Sequence, residues 1–164
     1  MTSSRERFWQ QVAMESDKLN VVLLQDETAS LEKGERDYIA LQKRLLRQTE
    51  TERENQHIRR LVAHSILRLA YSMANTWAEY QRALRRVQRL GHLNVDYQSR
   101  AAHFTLLWIA DNDPTQADLG WAMVAAAERR LLRMRRGNKV RKQALATLAS
   151  VKQRVTQKGL TPPP

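Results

Sequence analysis

The stretch LEKGERDYIALQKRLLRQTETERENQHIRRLVAHSILRLAYSMANTWAEYQRALRRVQRL, residues 31–90, decides the fold class. After Gly34 it holds neither glycine nor proline. Alternating steps of three and four residues from Leu31 trace one heptad frame through Gly34, Tyr38, Leu41, Leu45, Gln48, Glu52, Asn55, Arg59, Val62, Ile66, Leu69, Met73, Thr76, Tyr80, Ala83, Val87 and Leu90. Twelve of these eighteen positions are apolar, which is the signature of helix with one buried stripe. The four positions from Gln48 to Arg59 are polar. A frame that keeps phase across such a gap fits one long helix, or two helices split near 49–54. Thr51-Glu52-Arg53-Glu54 has the spacing of a capping box and favours the split. An unbroken helix would run roughly 90 Å at 1.5 Å per residue, too long for a compact domain.

The flanks extend the same pattern. Upstream, Ser3 and Glu6 have capping-box spacing, and Phe8, Val12, Leu19 and Leu23 predict a first helix reaching about Ala29. Ser30 can cap the segment that follows. Downstream, Gly91-His92 should end the heptad element and Asn94 cap the next, with Tyr97, Ala101, Phe104 and Trp108 on one face, widened by Leu107 and Ile109. Asp113-Pro114-Thr115-Gln116 reads as an N-cap with proline in the first helical position. The helix after it should bury Leu119, Met123, Ala127, Leu131 and Met134 and stop at Gly137. Asn138 then caps a last helix with Val140, Ala144, Leu148, Val151 and Val155 on one face. With only five glycines and four prolines in 164 residues, the expectation is an all-α chain. It is a helical bundle of five or six helices, one domain over 1–158, with a disordered Pro-rich tail at 159–164.

Charge is distributed unevenly. Residues 1–60 carry 11 bases and 11 acids, whereas residues 61–164 carry 17 bases and 6 acids and so the whole net charge of +11. From Arg129 to Lys158 there are eleven Lys or Arg and no acid. An ordinary run of charge is a solvated helix face, but uncompensated bases at i,i+3 and i,i+4, such as Arg129, Arg133 and Arg136, mildly destabilise an isolated helix. A polyanion from outside would neutralise them. Candidate nucleic-acid contacts are therefore Arg129, Arg130, Arg133, Arg135, Arg136, Lys139, Arg141, Lys142 and Lys152, with a second strip at Arg82, Arg85, Arg86 and Arg89. Arginine outnumbers lysine 21 to 7, and its planar fork suits phosphate. The turn at Gly137-Asn138 could add backbone N–H groups at the start of the final helix.

Trp9, Trp77, Trp108 and Trp121 are the aromatics large enough to stack on bases. Trp108 falls on an apolar face and Trp77 beside the heptad frame, so both read as core. Trp121 lies away from the apolar face of its helix and would need a second helix or a partner to cover it. Contact should therefore run through phosphates, with weak sequence preference and steep salt dependence.

Several chemistries are excluded or disfavoured. The chain has no cysteine, so disulfides and thiolate metal sites are ruled out. His57, His64, His92 and His103 are scattered without metal-ligand spacing. Asp111-Asn112-Asp113 begins like a calcium loop, but Gln116 and Ala122 stand where the loop needs Gly and Glu. No phosphate-binding loop, nucleophile elbow or dinucleotide fingerprint occurs. The expectation is a non-enzymatic protein without cofactor, metal or small-molecule substrate. The polar start, Met1 to Glu6, and the lack of spanning apolar runs predict a cytoplasmic location away from membranes. The preferred role is a nucleic-acid-binding accessory subunit of a DNA- or RNA-handling assembly. The alternative is a coiled-coil scaffold, chaperone or secretion-apparatus interaction protein. It would bind an acidic protein partner, or self-associate through the heptad face.

Overall fold

The computed structural model describes residues 3–90 and 95–164. The expected stop at Gly91-His92 and the cap at Asn94 lie outside the described residues. In order the chain forms α1 (Ser4–Gln25), α2 (Leu31–Leu46), α3 (Glu52–Met73), α4 (Trp77–Leu90), α5 (Val95–Asn112), a short 3-10 turn (Pro114–Gln116), α6 (Ala117–Leu132) and α7 (Lys139–Gln157). Among the described residues there is no strand. Nor, among these residues, is any helix long and apolar enough to cross a membrane.

Among the described residues the protein is all-helical, with seven α-helices in place of five or six. The excess comes from the heptad stretch, which is cut twice. At the first cut, Thr51 accepts from the Glu54 amide at 3.1 Å, and Arg5 of α1 clamps the junction by pairing with Glu54 at 2.5 Å. At the second, Ala74 leaves the helix with extended backbone (ψ 126°). Thr76 accepts from the Glu79 amide at 3.2 Å, and the Glu79 carboxylate accepts from the Asn75 amide at 3.4 Å. Trp108 holds this corner by donating to the Ala74 carbonyl at 3.1 Å. The signal was present: Thr76-Trp77-Ala78-Glu79 repeats the spacing of Thr51 to Glu54.

The three helices fold back on one another, α2 on α3 and α3 on α4. Frame positions Leu31, Tyr38, Leu41, Leu45, Val62, Ile66, Leu69, Tyr80, Ala83 and Val87 are buried in the chain's own core. Gly34 lets α2 approach α3 closely, because a Cβ there would collide with the Leu69 side chain. A first core is built from α1 to α5, and a second from α5, α6 and α7. Helix α5 serves both: Tyr97, Ala101, Trp108 and Ile109 face the first, and Ala102, Leu106 and Leu107 the second.

Other boundaries depart from the sequence pattern for local reasons. Helix α1 stops at Gln25, short of Ala29, because Asp26 captures the Thr28 amide at 2.9 Å in a turn that competes with helix. Helix α6 buries Gly120, Trp121, Val124, Ala127 and Leu131, leaving Leu119 49% exposed. A face rotated by about one residue from the expected one brings Gly120 against Leu106 and Ile109 and sets Trp121 in the second core. That helix ends at Leu132, before Gly137. Val140 of α7 is exposed, while Ala144, Leu148, Val151 and Val155 are buried. After Gly159, at φ 95°, Leu160 packs half-buried against both cores.

Candidate nucleic-acid interface

The basic run bends around the junction of α6 and α7. Arg133 caps α6, its amide bonding to the carbonyls of Arg130 and Leu131. A turn follows in which the Asn138 amide donates to the Arg135 carbonyl at 3.0 Å. The Asn138 side chain then accepts from the amides of Val140 at 2.9 Å and Arg141 at 3.2 Å. These bonds are those expected of an N-cap asparagine. They also occupy two of the first-turn amides that an anion would need, so the corner addresses a ligand through side chains rather than backbone.

The candidate residues sort by what they touch. Arg129, Arg133, Arg135, Arg136, Lys139 and Lys142 are all exposed at this one corner. Among the described residues none of the six forms an ion pair with an acid. Three others are engaged within the chain. Arg141 donates from Nε to the Leu131 carbonyl at 3.2 Å and so closes the end of α6. Lys152 pairs with Glu128 at 2.9 Å, and Arg130 donates to the Gln98 amide oxygen at 3.0 Å.

The strip on α4 divides into two edges. Arg86 pairs at 2.6 Å with Glu35, whose residue is only 3% exposed. Burial pushes the Glu35 carboxyl above its ordinary range, and the Arg86 charge offsets only part of that rise. Arg82, one turn before, lines the same cleft of about 460 Å3 with Glu32, Glu35 and Glu79. These two arginines therefore face acids of their own chain. Arg85 and Arg89 are exposed on another edge, beside Gln88. Gln88 and Arg130 line one groove of about 380 Å3, floored by Tyr97, Ala101 and Met123, so this edge of α4 looks across to the end of α6.

None of the tryptophans is exposed. Trp108 and Trp121 are buried. Trp77 is half-buried and stacks on Tyr80 at 5.9 Å and 7°, and Trp9 meets His57 edge-on at 4.8 Å. The other polar clusters are also occupied. Asp111 accepts from Tyr71 at 2.9 Å and pairs with Lys158, and Asp113 accepts from Thr115. His64 lies 3.6 Å from Asp96, yet burial and the nearby Arg100 hold it down at about 4, so it is neutral at pH 7. Among the described residues no group of three acids or histidines could hold a metal ion. His92 lies outside the described residues.

Sequence reasoning did not foresee that Glu35, Glu128 and the Leu131 carbonyl would claim Arg86, Lys152 and Arg141. Pairs separated by 51, 24 and 10 residues carry no local signal. No known protein family, curated protein or solved structure matches the chain.

Proposed function

We propose that the protein is a non-enzymatic nucleic-acid-binding accessory subunit of a DNA- or RNA-handling assembly, working in the cytoplasm. It grips phosphates with Arg129, Arg133, Arg135, Arg136, Lys139 and Lys142. Arg85 and Arg89 extend the contact along α4, and the remaining candidates hold the scaffold. One observation supports this above others: six bases crowd one helix junction and, among the described residues, no acid is paired to them. Bringing such charges together is unfavourable unless counter-ions, or a polyanion that displaces them, occupy the corner. With no exposed aromatic platform beside the bases, recognition rests on the backbone and carries little sequence preference.

The test is fluorescence anisotropy with labelled duplex DNA, single-stranded DNA and RNA at several salt concentrations. The triple substitution Arg133→Glu, Arg136→Glu and Lys139→Glu should weaken binding about a hundredfold near 0.1 M salt and flatten the dependence on salt. Unaltered affinity would remove the corner from the interface. Wild-type protein that ignores all three nucleic acids but binds an acidic polypeptide would favour the alternative role as an interaction scaffold.

A further inference from the structure

Between α4 and α6, over α5, the groove of about 380 Å3 is apolar at its floor and polar only at its edges. Tyr97, Ala101 and Met123 form the floor, and Gln88, Gln98 and Arg130 stand at the edges. Arg130 holds Gln98 in place by donating to its Oε1 at 3.0 Å. No carboxylate lines this groove, whereas Glu35, Glu15, Asp96 and Glu54 each stand in the wall of one of four other grooves. Bases occupy both banks. Arg85 precedes Gln88 by three residues on α4, and Ala126, Arg130 and Arg133 follow one another on α6 at steps of four and three, so each set shares a helix edge. A fitting occupant is apolar in its body and negatively charged on either side. A nucleobase with its two flanking phosphates has that form. The amides of Gln88 and Gln98 offer donor and acceptor together, as the edge of a base does, and an aliphatic anchor of an acidic peptide would give them nothing to bond.

We propose that this groove receives one unpaired nucleobase, from a strand whose phosphates rest on Arg85 at one bank and Arg133 at the other. A base inside a duplex must first be unpaired and unstacked before it can enter, a cost that a single strand largely escapes. The groove therefore favours single strands, while the corner bases hold either form by its phosphates. Apolar packing fills most of the site, so it separates unpaired from paired bases more than one base from another. This inference rests on the nucleic-acid reading of the corner and adds to it the state of the strand.

Anisotropy of the full chain with three probes of equal length tests it. They are a duplex, a single strand of mixed sequence, and a single strand whose bases are replaced by abasic sites. The wild type should bind the intact strand about tenfold tighter than the abasic one. Ala126→Trp, which fills the groove from its α6 bank, should lower the intact strand to the abasic level. Its duplex affinity, abasic-strand affinity and helical circular dichroism should stay as in the wild type. The triple substitution at the corner should instead weaken all three probes. Both strands are run as DNA and as RNA, and the sugar with the larger gap between intact and abasic probes is the source of the base. A wild type that binds none of the probes overturns the nucleic-acid reading and this inference with it. Binding of all three with no gap between intact and abasic strands overturns the inference alone, as does an Ala126→Trp protein that keeps the gap. So does polyglutamate binding that Ala126→Trp abolishes while strand binding survives, which would assign the groove to an acidic peptide.

Discussion

Two sets of arginines in the chain sit in opposite surroundings. In one set, Arg5 meets Glu54 at 2.5 Å, Arg44 meets Glu15 at 3.3 Å, and Arg86 from α4 reaches back to Glu35 at 2.6 Å. Each pair ties two different helices together. At the α6–α7 corner, six exposed bases have no such partner among the described residues. The difference separates charge that the fold neutralises from charge it leaves facing solvent. An arginine whose carboxylate is supplied by its own fold contributes to that fold, and one left facing water is available to something else. Net charge by itself does not distinguish them: Arg86 and Arg136 look alike in the sequence.

The sharpest contrast is between alanine substitutions at these two residues. Arg86→Ala strands the buried Glu35 carboxylate and should cost about 2–3 kcal/mol at pH 8, with nucleic-acid affinity unaffected. Because burial already raises Glu35, the deficit is present above its folded pKa and fades below it, so urea unfolding at pH 5 should show a smaller loss. Arg136→Ala should stay within about 0.5 kcal/mol of wild type while losing affinity. Equal stability costs would erase the distinction. A second test uses His64, in the seam between α3 and α5, held at about 4 by burial and Arg100. The unfolded chain takes up the imidazole proton near pH 6.5 and the folded chain only near 4, so stability falls as pH drops through that window. His64→Gln should remove about 2 kcal/mol of that acid loss, measured as the difference between the two pH profiles. The smallest contrast lies between glycines. Gly34→Ala drives a methyl into Leu69 and should cost about 1 kcal/mol after the gain in helix propensity. Gly137→Ala, which meets nothing within 4 Å, should be neutral or slightly stabilising.

What could be read in advance was what is decided within a turn or two of chain. Ser3, Ser30, Thr51 and Asn138 all cap helices as their side chains allow, because a cap depends on neighbours three residues away. The break at Ala74 is hidden in the sequence because the heptad frame runs through it without glycine or proline, and only the Thr76–Glu79 spacing marks it. The rotated face of α6 could not be foreseen from periodicity, as Leu119 and Trp121 compete for the core and packing against α5 and α7 decides. The candidate site was legible as a cluster, since its residues are contiguous. Which of its members are spent within the chain was not, because acids from distant helices make that choice.

Half of α5, nine of its eighteen residues, is buried, and those residues supply a wall to each of two apolar interiors. Any cleavage that parts α5 from either neighbour set leaves a fragment with one open side and exposed leucines. The molecule therefore cannot be pared down to a cationic module: the α6–α7 corner has no foundation unless the electrically neutral front of the protein is there to hold α5 in place.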